Sequence, residues 1–103
     1  MVKALNYIRQ NANKPLQVFE VSREAGVSRR VLERRFVEVL GRSPATEIRR
    51  VHLERAKQLL AETQMSIPDV AEASGFTSPE YMAIRFRMDL KTSPLRYRKE
   101  IRK

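Results

Sequence analysis

The sequence predicts an all-α protein, and three observations carry the prediction. Apolar residues recur every three or four positions over most of the 103 residues, and they nowhere alternate with period two for long. Serine-proline pairs, which place an N-cap residue before a proline at the first helical position, occur at Ser43-Pro44, Ser78-Pro79 and Ser93-Pro94. The two halves of the chain also repeat each other, which indicates a duplicated helical unit.

Seven helices follow in chain order, at residues 2–12, 17–25, 28–40, 44–62, 67–74, 78–90 and 94–101. The first is an apolar-periodic segment. Gly26 and Gly41 end the second and third helices, and Gly75 follows the fifth, as glycines at helix ends do. The fifth begins at Ser66, where S-I-P-D has the form of a capping box with proline in the first turn. The three serine-proline pairs begin the fourth, sixth and seventh helices.

The internal repeat is the most informative feature of the chain. At a spacing of 49, the residues Val18, Glu20, Val21 and Gly26 match Ile67, Asp69, Val70 and Gly75. At a spacing of 50, the residues Ser28, Leu32, Phe36, Leu40, Ser43 and Pro44 match Ser78, Met82, Phe86, Leu90, Ser93 and Pro94. The extra residue falls in the turn after the glycine, where insertions are tolerated. Each copy is therefore predicted to be a short helix, a glycine-containing turn and a longer helix.

That order of elements is typical of a helix-turn-helix unit, whose second helix lies in the major groove of DNA. The chain accordingly divides into a first unit at residues 1–43, a linker helix at 44–62 and a second unit at 63–103. At 1.5 Å per residue the linker is about 27 Å long, comparable to one turn of B-DNA at roughly 34 Å. Both second helices are therefore expected to enter successive major-groove segments on one face of a duplex.

Composition narrows the class of function. The 21 Lys and Arg against 12 Asp and Glu give a formal charge of +9, which predicts a polyanionic partner. No cysteine, a single histidine and no evident nucleophile–base pair argue against a metal site, a cofactor and catalysis. No apolar run approaches the ~20 residues of a membrane span, and the N-terminus lacks the apolar core of a signal peptide. We therefore expect a cytoplasmic protein that is not an enzyme.

The second helix of the first unit has two faces. Leu32, Phe36, Val39 and Leu40 share one sector, which predicts the core side. Arg30 and Arg34 project together from the opposite side, where an arginine fork suits guanine O6 and N7.

The flanks of this face carry further polar residues. Arg29 lies at the helix N-terminus, where backbone N–H groups favour a phosphate, and Ser28 beside it is placed with the phosphate contacts. Glu33 is suited to accept from cytosine N4, or to pair with Arg29 or Arg30. The alternative for the whole arginine run is a solvated charged face.

The corresponding helix of the second unit is less basic. Met82, Phe86 and Leu90 are expected on its core side. Tyr81 or Ile84 is suited to contact a thymine methyl group, with packing under a neighbouring helix as the alternative. Phosphate contacts in this region are assigned to Ser78, Arg85 and Arg87.

Two residues lie outside these faces. His52 falls inside the apolar sector of the linker, which predicts a packed or phosphate-bonding side chain rather than a metal ligand. Arg98 belongs to a basic C-terminal stretch, which is either a phosphate contact or a frayed terminus.

At this point the sequence resembles the DNA-binding domain of the AraC/XylS family of bacterial transcription regulators. The matching pieces, in order, are GVSRRVLERRF, LGRSP, IRRVHLERAKQLL, SIPDVAEASGF, RF and TSPLRYRK, and they cover the chain from about residue 3 to 100. The resemblance implies a homeodomain-like fold with two helix-turn-helix subdomains joined by a long linker helix. The repeat alone predicts the same arrangement.

The resemblance also implies which residues read bases. They are Arg30, Glu33 and Arg34 in the first unit, and Pro79, Glu80, Tyr81, Ala83 and Ile84 in the second. Many members carry arginine where this chain has Ile84, and a basic residue is frequent at the position of His52. The first departure bears on how much sequence the second unit reads.

Partners follow from the same resemblance. It implies a transcription activator that binds double-stranded DNA and RNA polymerase and lies with the nucleoid in a bacterial cytoplasm. Members usually carry a separate effector-binding or dimerisation domain, so the effector is expected to bind a domain that this chain does not contain. The S-R-x-x-L-E-R-R-F form is similar to the branch of xylose-operon regulators, which makes a sugar such as xylose the expected effector.

Two other functions fit the charge. A non-specific architectural nucleic-acid-binding protein would use the same cations without reading bases. A membrane-surface protein would also be basic and helical, but the chain has no strongly apolar helix face with interfacial tryptophan.

Overall fold

The computed structural model describes residues 1–102 and confirms the all-α class. Within that range the chain forms seven helices and no strand: α1 (Val2–Gln10), α2 (Val18–Ala25), α3 (Arg29–Leu40), α4 (Pro44–Glu62), α5 (Ile67–Ala73), α6 (Pro79–Leu90) and α7 (Pro94–Ile101). The helix α1 ends at Gln10 rather than at residue 12, and every other end lies within one residue of its prediction. Lys103, the last residue of the predicted second unit, lies outside the described residues.

Serine caps explain where most helices begin. Five serines each accept a hydrogen bond from the backbone N–H three residues further on, at 3.0 to 3.2 Å; they are Ser28, Ser43, Ser66, Ser78 and Ser93. Proline follows in the first turn of α4, α5, α6 and α7. The predicted helix starts are thereby confirmed, because the side chain satisfies an N–H that the helix itself leaves unpaired.

Two hydrophobic clusters lie at the two ends of the described chain. The first joins α1, α2, α3 and the start of α4, with Ile8, Leu32 and Phe36 almost fully buried. The second joins the rest of α4 to α5, α6 and α7, around Met82 and Phe86. The repeat positions predicted to face the core therefore do so in both units.

Val39 is an exception to the predicted core side of α3. Its side chain is 65% exposed. It points about 60° away from Phe36 around the helix axis and lies in the last turn, where Leu40 on the other side of Phe36 covers the cluster. The prediction for Val39 was wrong because the last turn of α3 extends beyond the hydrophobic cluster on the side where Val39 lies.

The long helix α4 belongs to both clusters. It contributes Ile48 to the first cluster and Leu53, Ala56 and Leu60 to the second, over 19 residues without interruption. Since one helix is buried at both ends, it fixes the orientation of the two units relative to each other.

His52 of α4 holds the contact between the units. Its Nε2 lies 3.0 Å from the Lys14 carbonyl of the first unit, and its ring centroid lies 6.0 Å from that of Phe76 in the second. A Cβ on Gly75 would lie 2.5 Å from His52 Nε2 and 2.7 Å from the Lys14 oxygen, so only glycine fits there. Burial lowers the pKa of His52, so the neutral ring donates its Nε2–H to Lys14. The packed side chain that the sequence predicted is confirmed.

The turn between α3 and α4 is fastened by a buried carboxylate. Glu47, which is 2% exposed, accepts from Arg42 Nε at 2.6 Å and from Arg50 Nε and Nη2 at 3.0 and 2.8 Å. The hydrogen bond from Arg50 lowers the pKa of Glu47, and that from Arg42 adds to the effect against the cost of burial. The pair therefore stays ionised and links the end of α3 to the first turns of α4.

Candidate nucleic-acid interface

The exposed face of α3 carries the charged residues predicted to read bases. Arg30, Glu33 and Arg34 are all exposed, one helical turn apart, while Leu32 and Phe36 point into the core. The Ser28 cap at 3.1 Å from the Val31 N–H sets where this helix begins. The three side chains therefore point outward from the second helix of a helix-turn-helix unit, as the predicted role requires.

Two ion pairs lie along this face. Arg29 Nε lies 3.1 Å from Glu33 Oε1, and Arg34 Nε lies 3.7 Å from Glu38 Oε1. Both pairs are exposed on both sides, and such pairs contribute only ~0.2–1 kcal/mol. A phosphate or a base edge can therefore displace either acidic partner at little cost. Of the two roles open for Glu33, the pair with Arg29 is the one that the structure shows.

The exposed face of α6 has a different chemistry. Ile84 is 53% exposed and Tyr81 is 39% exposed, so neither is packed under a neighbouring helix. Glu80 is exposed in the first turn, and Ser78 caps the helix at 3.0 Å from the Tyr81 N–H. The Tyr81 ring centroid lies 6.2 Å from that of the buried Phe76, which supports the tyrosine from behind. Pro79 and Ala83 of the same helix are half-buried.

Two arginines of α6 that are assigned to phosphates, Arg85 and Arg87, have different surroundings. Arg87 is exposed beside the α6 face. Arg85 is turned toward α4, is 16% exposed and forms two hydrogen bonds with Asp89, at 3.0 and 3.3 Å. Its Nε is buried without a partner in the described chain. A phosphate contact by Arg85 therefore requires it to exchange Asp89 for the DNA.

Arg98, which the sequence assigned to a phosphate contact or a frayed end, donates to backbone carbonyls of the chain, so a phosphate contact stays a prediction that requires it to exchange these acceptors for DNA. Its Nε, Nη1 and Nη2 donate to the carbonyls of Leu60, Met65 and Thr63, at 3.0, 2.6 and 3.3 Å. These carbonyls belong to the end of α4 and the loop that follows, where the helix leaves acceptors unpaired. Burial, together with the charge of Arg102, lowers the pKa of Arg98. With all three nitrogens engaged, Arg98 fastens α7 to α4.

A groove between the two units joins residues that the sequence did not bring together. It has a volume of about 380 Å³ and runs between the start of α2, α4 and the turn before α6. Arg29 and Arg49 line it together with Gln17, His52 and Thr77. No motif of the sequence assigns Arg49 a role. Its position in the groove follows from the contact between units, which no local pattern encodes.

Phe19 is a second residue that the pattern did not single out. It is 59% exposed at the rim of the same groove, and the Arg23 guanidinium lies 5.3 Å from its ring centroid. A signal was present, because Val18 and Val21 fill the core side of α2 and leave Phe19 on the outside.

The fold and this surface define a class of protein. Two short-helix, turn, long-helix units stand on one linker helix, and their long helices present exposed arginine, tyrosine and isoleucine side chains. This is a double helix-turn-helix DNA-binding domain.

Comparison with known proteins names the family. Residues 21–100 match a family described as a helix-turn-helix domain. The chain is 35% identical to the xylose operon regulatory protein of Escherichia coli strain K12 over 98 residues, which are 95% of this chain and 25% of that protein. It matches a transcriptional regulator of Chromobacterium violaceum, described by its AraC-type DNA-binding domain, at 32% identity and a TM-score of 0.88, over 97% of this chain and 89% of that one. The chain belongs to the AraC-type family of helix-turn-helix DNA-binding domains.

A further solved structure bears on DNA. The DNA-binding domain of AdpA, described as a global transcriptional factor, was crystallised with a target DNA and matches at a TM-score of 0.93 and 28% identity, over 98% of this chain and 91% of that one. These relatives are transcription regulators rather than enzymes. The chain spans about a quarter of the length of the first curated relatives it matches. No helix within residues 1–102 is long and apolar enough to cross a membrane.

Proposed function

We propose that this domain directs a bacterial transcription activator to its operator by reading two successive major-groove segments, one with α3 and one with α6. The observation that carries the proposal is the pair of exposed recognition faces held by one uninterrupted linker helix. Residues 1–43 read one half-site, residues 63–103 read the other, and residues 44–62 set the distance between the two units.

The first unit reads guanine. Arg30 and Arg34 are exposed together on α3, and the arginine fork matches guanine O6 and N7. Glu33 leaves Arg29 to accept from cytosine N4, which frees Arg29 for the phosphate at the helix N-terminus, next to Ser28.

The second unit reads bases through Pro79, Glu80, Tyr81, Ala83 and Ile84, and it contacts phosphates through Ser78, Arg85 and Arg87. The exposure of Tyr81, Ile84 and Arg87 supports this assignment. We add Arg49 to the phosphate contacts, because it lines the groove between the units together with Arg29. We leave Arg98 out, because its donors are already engaged by α4 and the loop after it.

The wider role belongs to a longer protein. The E. coli relative is a xylose operon regulatory protein about four times as long as the matched part. By that likeness, a further domain binds a sugar such as xylose and controls this one. Activation then requires contact with RNA polymerase bound beside the operator, in the cytoplasm and at the nucleoid. A reporter gene carrying the selected operator, assayed with and without xylose, tests both statements.

Selection of duplexes from a random library at about 150 mM salt, followed by footprinting, tests the DNA proposal. The expected result is two conserved blocks about one helical turn apart on one face. A single block would restrict base reading to one unit. No enrichment at all would overturn the proposal and favour the architectural alternative, which the charge of +9 alone would support.

A further inference from the structure

The face of α6 carries an apolar stripe that α3 does not have. Tyr81, Ile84 and Met88 are 39%, 53% and 56% exposed, and their spacing of three and four places them in one row along the helix. The residues that precede Ile84 and Met88 by 50 positions are Arg34 and Glu38, which form an ion pair. The repeat therefore places apolar side chains where the first unit places charges.

The stripe borders a shallow depression. Ala83, Ile84, Arg87 and Met88 enclose about 310 Å³ on the outer surface of α6, where the small Ala83 leaves room between longer neighbours. The only cation at this depression is Arg87 at its edge, among the residues that line it. The neighbouring Arg85 is turned toward α4 and held by Asp89.

The chemistry of this surface differs from that of a guanine-reading helix. Apolar side chains make no hydrogen bond with guanine O6 or N7, but they complement the thymine methyl, the apolar group on a base edge in the major groove. The stripe is continuous with the first turn of a recognition helix, so DNA is the partner that the fold brings to it.

We infer that Ile84 and Met88, with Ala83 beside them, form a pocket for thymine methyl groups, so that the second half-site is specified by thymines while the first is specified by guanines. The inference rests on the proposed function, since it requires α6 to lie in the major groove. Arg87 at the rim contacts the adjacent phosphate. Many family members have arginine at the position of Ile84. The isoleucine thus changes which base the second unit recognises and does not abolish base recognition.

Deoxyuridine in place of thymidine tests the pocket directly, because it removes the 5-methyl group and keeps base pairing. Each thymidine of the selected operator is replaced in turn, and affinity is measured by fluorescence anisotropy. We expect about a fourfold loss for each methyl group that the domain buries, at one or two positions of the second half-site. Replacement in the first half-site should leave affinity unchanged.

Ile84→Ala should bind the natural operator more weakly and lose the discrimination between thymidine and deoxyuridine. Leu95→Ala is the matched control, since Leu95 is 52% exposed on α7 and should retain full discrimination. Ile84 lies on the surface, so its truncation leaves both hydrophobic clusters intact.

Three outcomes would overturn the inference. Equal affinity for thymidine and deoxyuridine operators throughout, with sequence preference intact, would exclude the methyl pocket and leave the proposed function standing. Unchanged DNA affinity of Ile84→Ala together with a loss of self-association in sedimentation would assign the stripe to a protein contact. The absence of preference for any duplex would remove the proposed function as well.

Discussion

Single residues at equivalent positions of the repeat show how the two copies have diverged. Gly41 and Lys91 both end the second helix of their unit in the left-handed region, with φ of 71° and 59°. This conformation costs an L-residue with a side chain roughly 1–2 kcal/mol, whereas glycine adopts it freely. Lys91 therefore carries a local strain that Gly41 avoids. Both residues donate a backbone hydrogen bond to the preceding turn, and the Lys91 side chain adds a weak one from Nζ to the Met88 carbonyl, at 3.4 Å.

Lys91→Gly should stabilise the domain by about 0.5–1 kcal/mol, because relief of the strain exceeds the added entropy of the unfolded chain. Urea unfolding monitored by circular dichroism measures the change. Gly41→Lys is the matched control and should lower stability by a similar amount, since nothing within 4 Å of its Cβ position adds a clash. A loss of stability in Lys91→Gly would show that the hydrogen bond from Nζ outweighs the strain.

Arg34 separates base reading from phosphate binding. Arg34→Ala should lose about 1–3 kcal/mol of binding free energy on the selected operator and relax preference at one base pair, because a bidentate contact to guanine disappears. Competition between operator and scrambled duplex measures both effects. Arg29→Ala should instead weaken binding to every duplex alike. An equal loss of affinity on operator and scrambled duplex for Arg34→Ala would reduce this residue to a phosphate contact.

Arg98 shows that not every cation of a basic domain belongs to its interface. Arg98→Ala should lower the free energy of unfolding by about 1–3 kcal/mol, since three backbone carbonyls lose a charged donor. The slope of log K against log salt should not change, because no phosphate contact is lost; for ~6 contacts the slope is near −5. A slope reduced by about one unit would restore Arg98 to the phosphate contacts. Arg87→Ala, from the exposed face, should show that reduction without a loss of stability.

At the scale of elements, the two recognition helices α3 and α6 share a core face and differ on their outer face. The recognition helices place equivalent repeat positions in the core, Leu32 and Phe36 in one unit and Met82 and Phe86 in the other. Their outer faces differ: α3 carries the charged Arg34 and Glu38 where α6 carries the apolar Ile84 and Met88. The linker α4 contributes buried residues to both hydrophobic clusters.

The sequence predicts helices well here because their signals are local. Serine caps and first-turn prolines act within three residues, and the repeat supplies each boundary twice. Contacts distant in the chain are invisible to such patterns. Arg98 bonds carbonyls 33 to 38 residues away, and His52 bonds the carbonyl of a residue 38 away, so no periodicity reveals either contact. The faces of the candidate site are thus predictable, whereas which arginines are already engaged is not.

The single histidine makes the junction between the units sensitive to acid. The pKa of His52 is about 6.5 when unfolded and is lowered in the fold, because burial disfavours the charged ring. Its contribution to stability is therefore complete above about pH 6.5 and is lost as the pH falls below that value toward the lowered pKa, since the unfolded chain binds the proton more readily. Glu47, whose pKa is also lowered, weakens the fold only below about pH 4.5.

We expect the free energy of unfolding to fall between pH 7 and 5 in the native domain. His52→Gln, which keeps a donor for the Lys14 carbonyl but does not titrate, should show a flatter profile in that window. Urea midpoints at constant ionic strength compare the two proteins, and the histidine Cε1–H resonance reports the pKa directly. Identical profiles, or a resonance that titrates above pH 6.5, would contradict a buried neutral ring.

At the scale of the whole molecule, the domain holds its two recognition helices at a fixed distance. It is 44 Å long and about 20 Å in its other two dimensions, and α4 passes from one hydrophobic cluster into the other. The contact of His52 with Lys14 and Phe76 closes the junction on a second side. Neither unit can therefore turn about the linker without breaking a buried contact, and one spacing of half-sites satisfies both recognition helices.

Insertions between the two half-sites of the selected operator test whether the spacing of the two units is fixed. Five added base pairs turn the second half-site to the opposite face of a duplex with about 10.5 base pairs per turn. The two units can then no longer bind both half-sites at once. Affinity should fall at least about 100-fold, to that of one unit alone, because the second contact no longer profits from its high effective concentration. Ten added base pairs restore the face but separate the half-sites by a further ~34 Å, beyond what a molecule 44 Å long can span. Rigid units therefore predict weak binding for both insertions, measured by gel shift and footprinting. Units joined flexibly would recover affinity at ten base pairs, and that recovery would show that α4 or the His52 junction gives way on DNA.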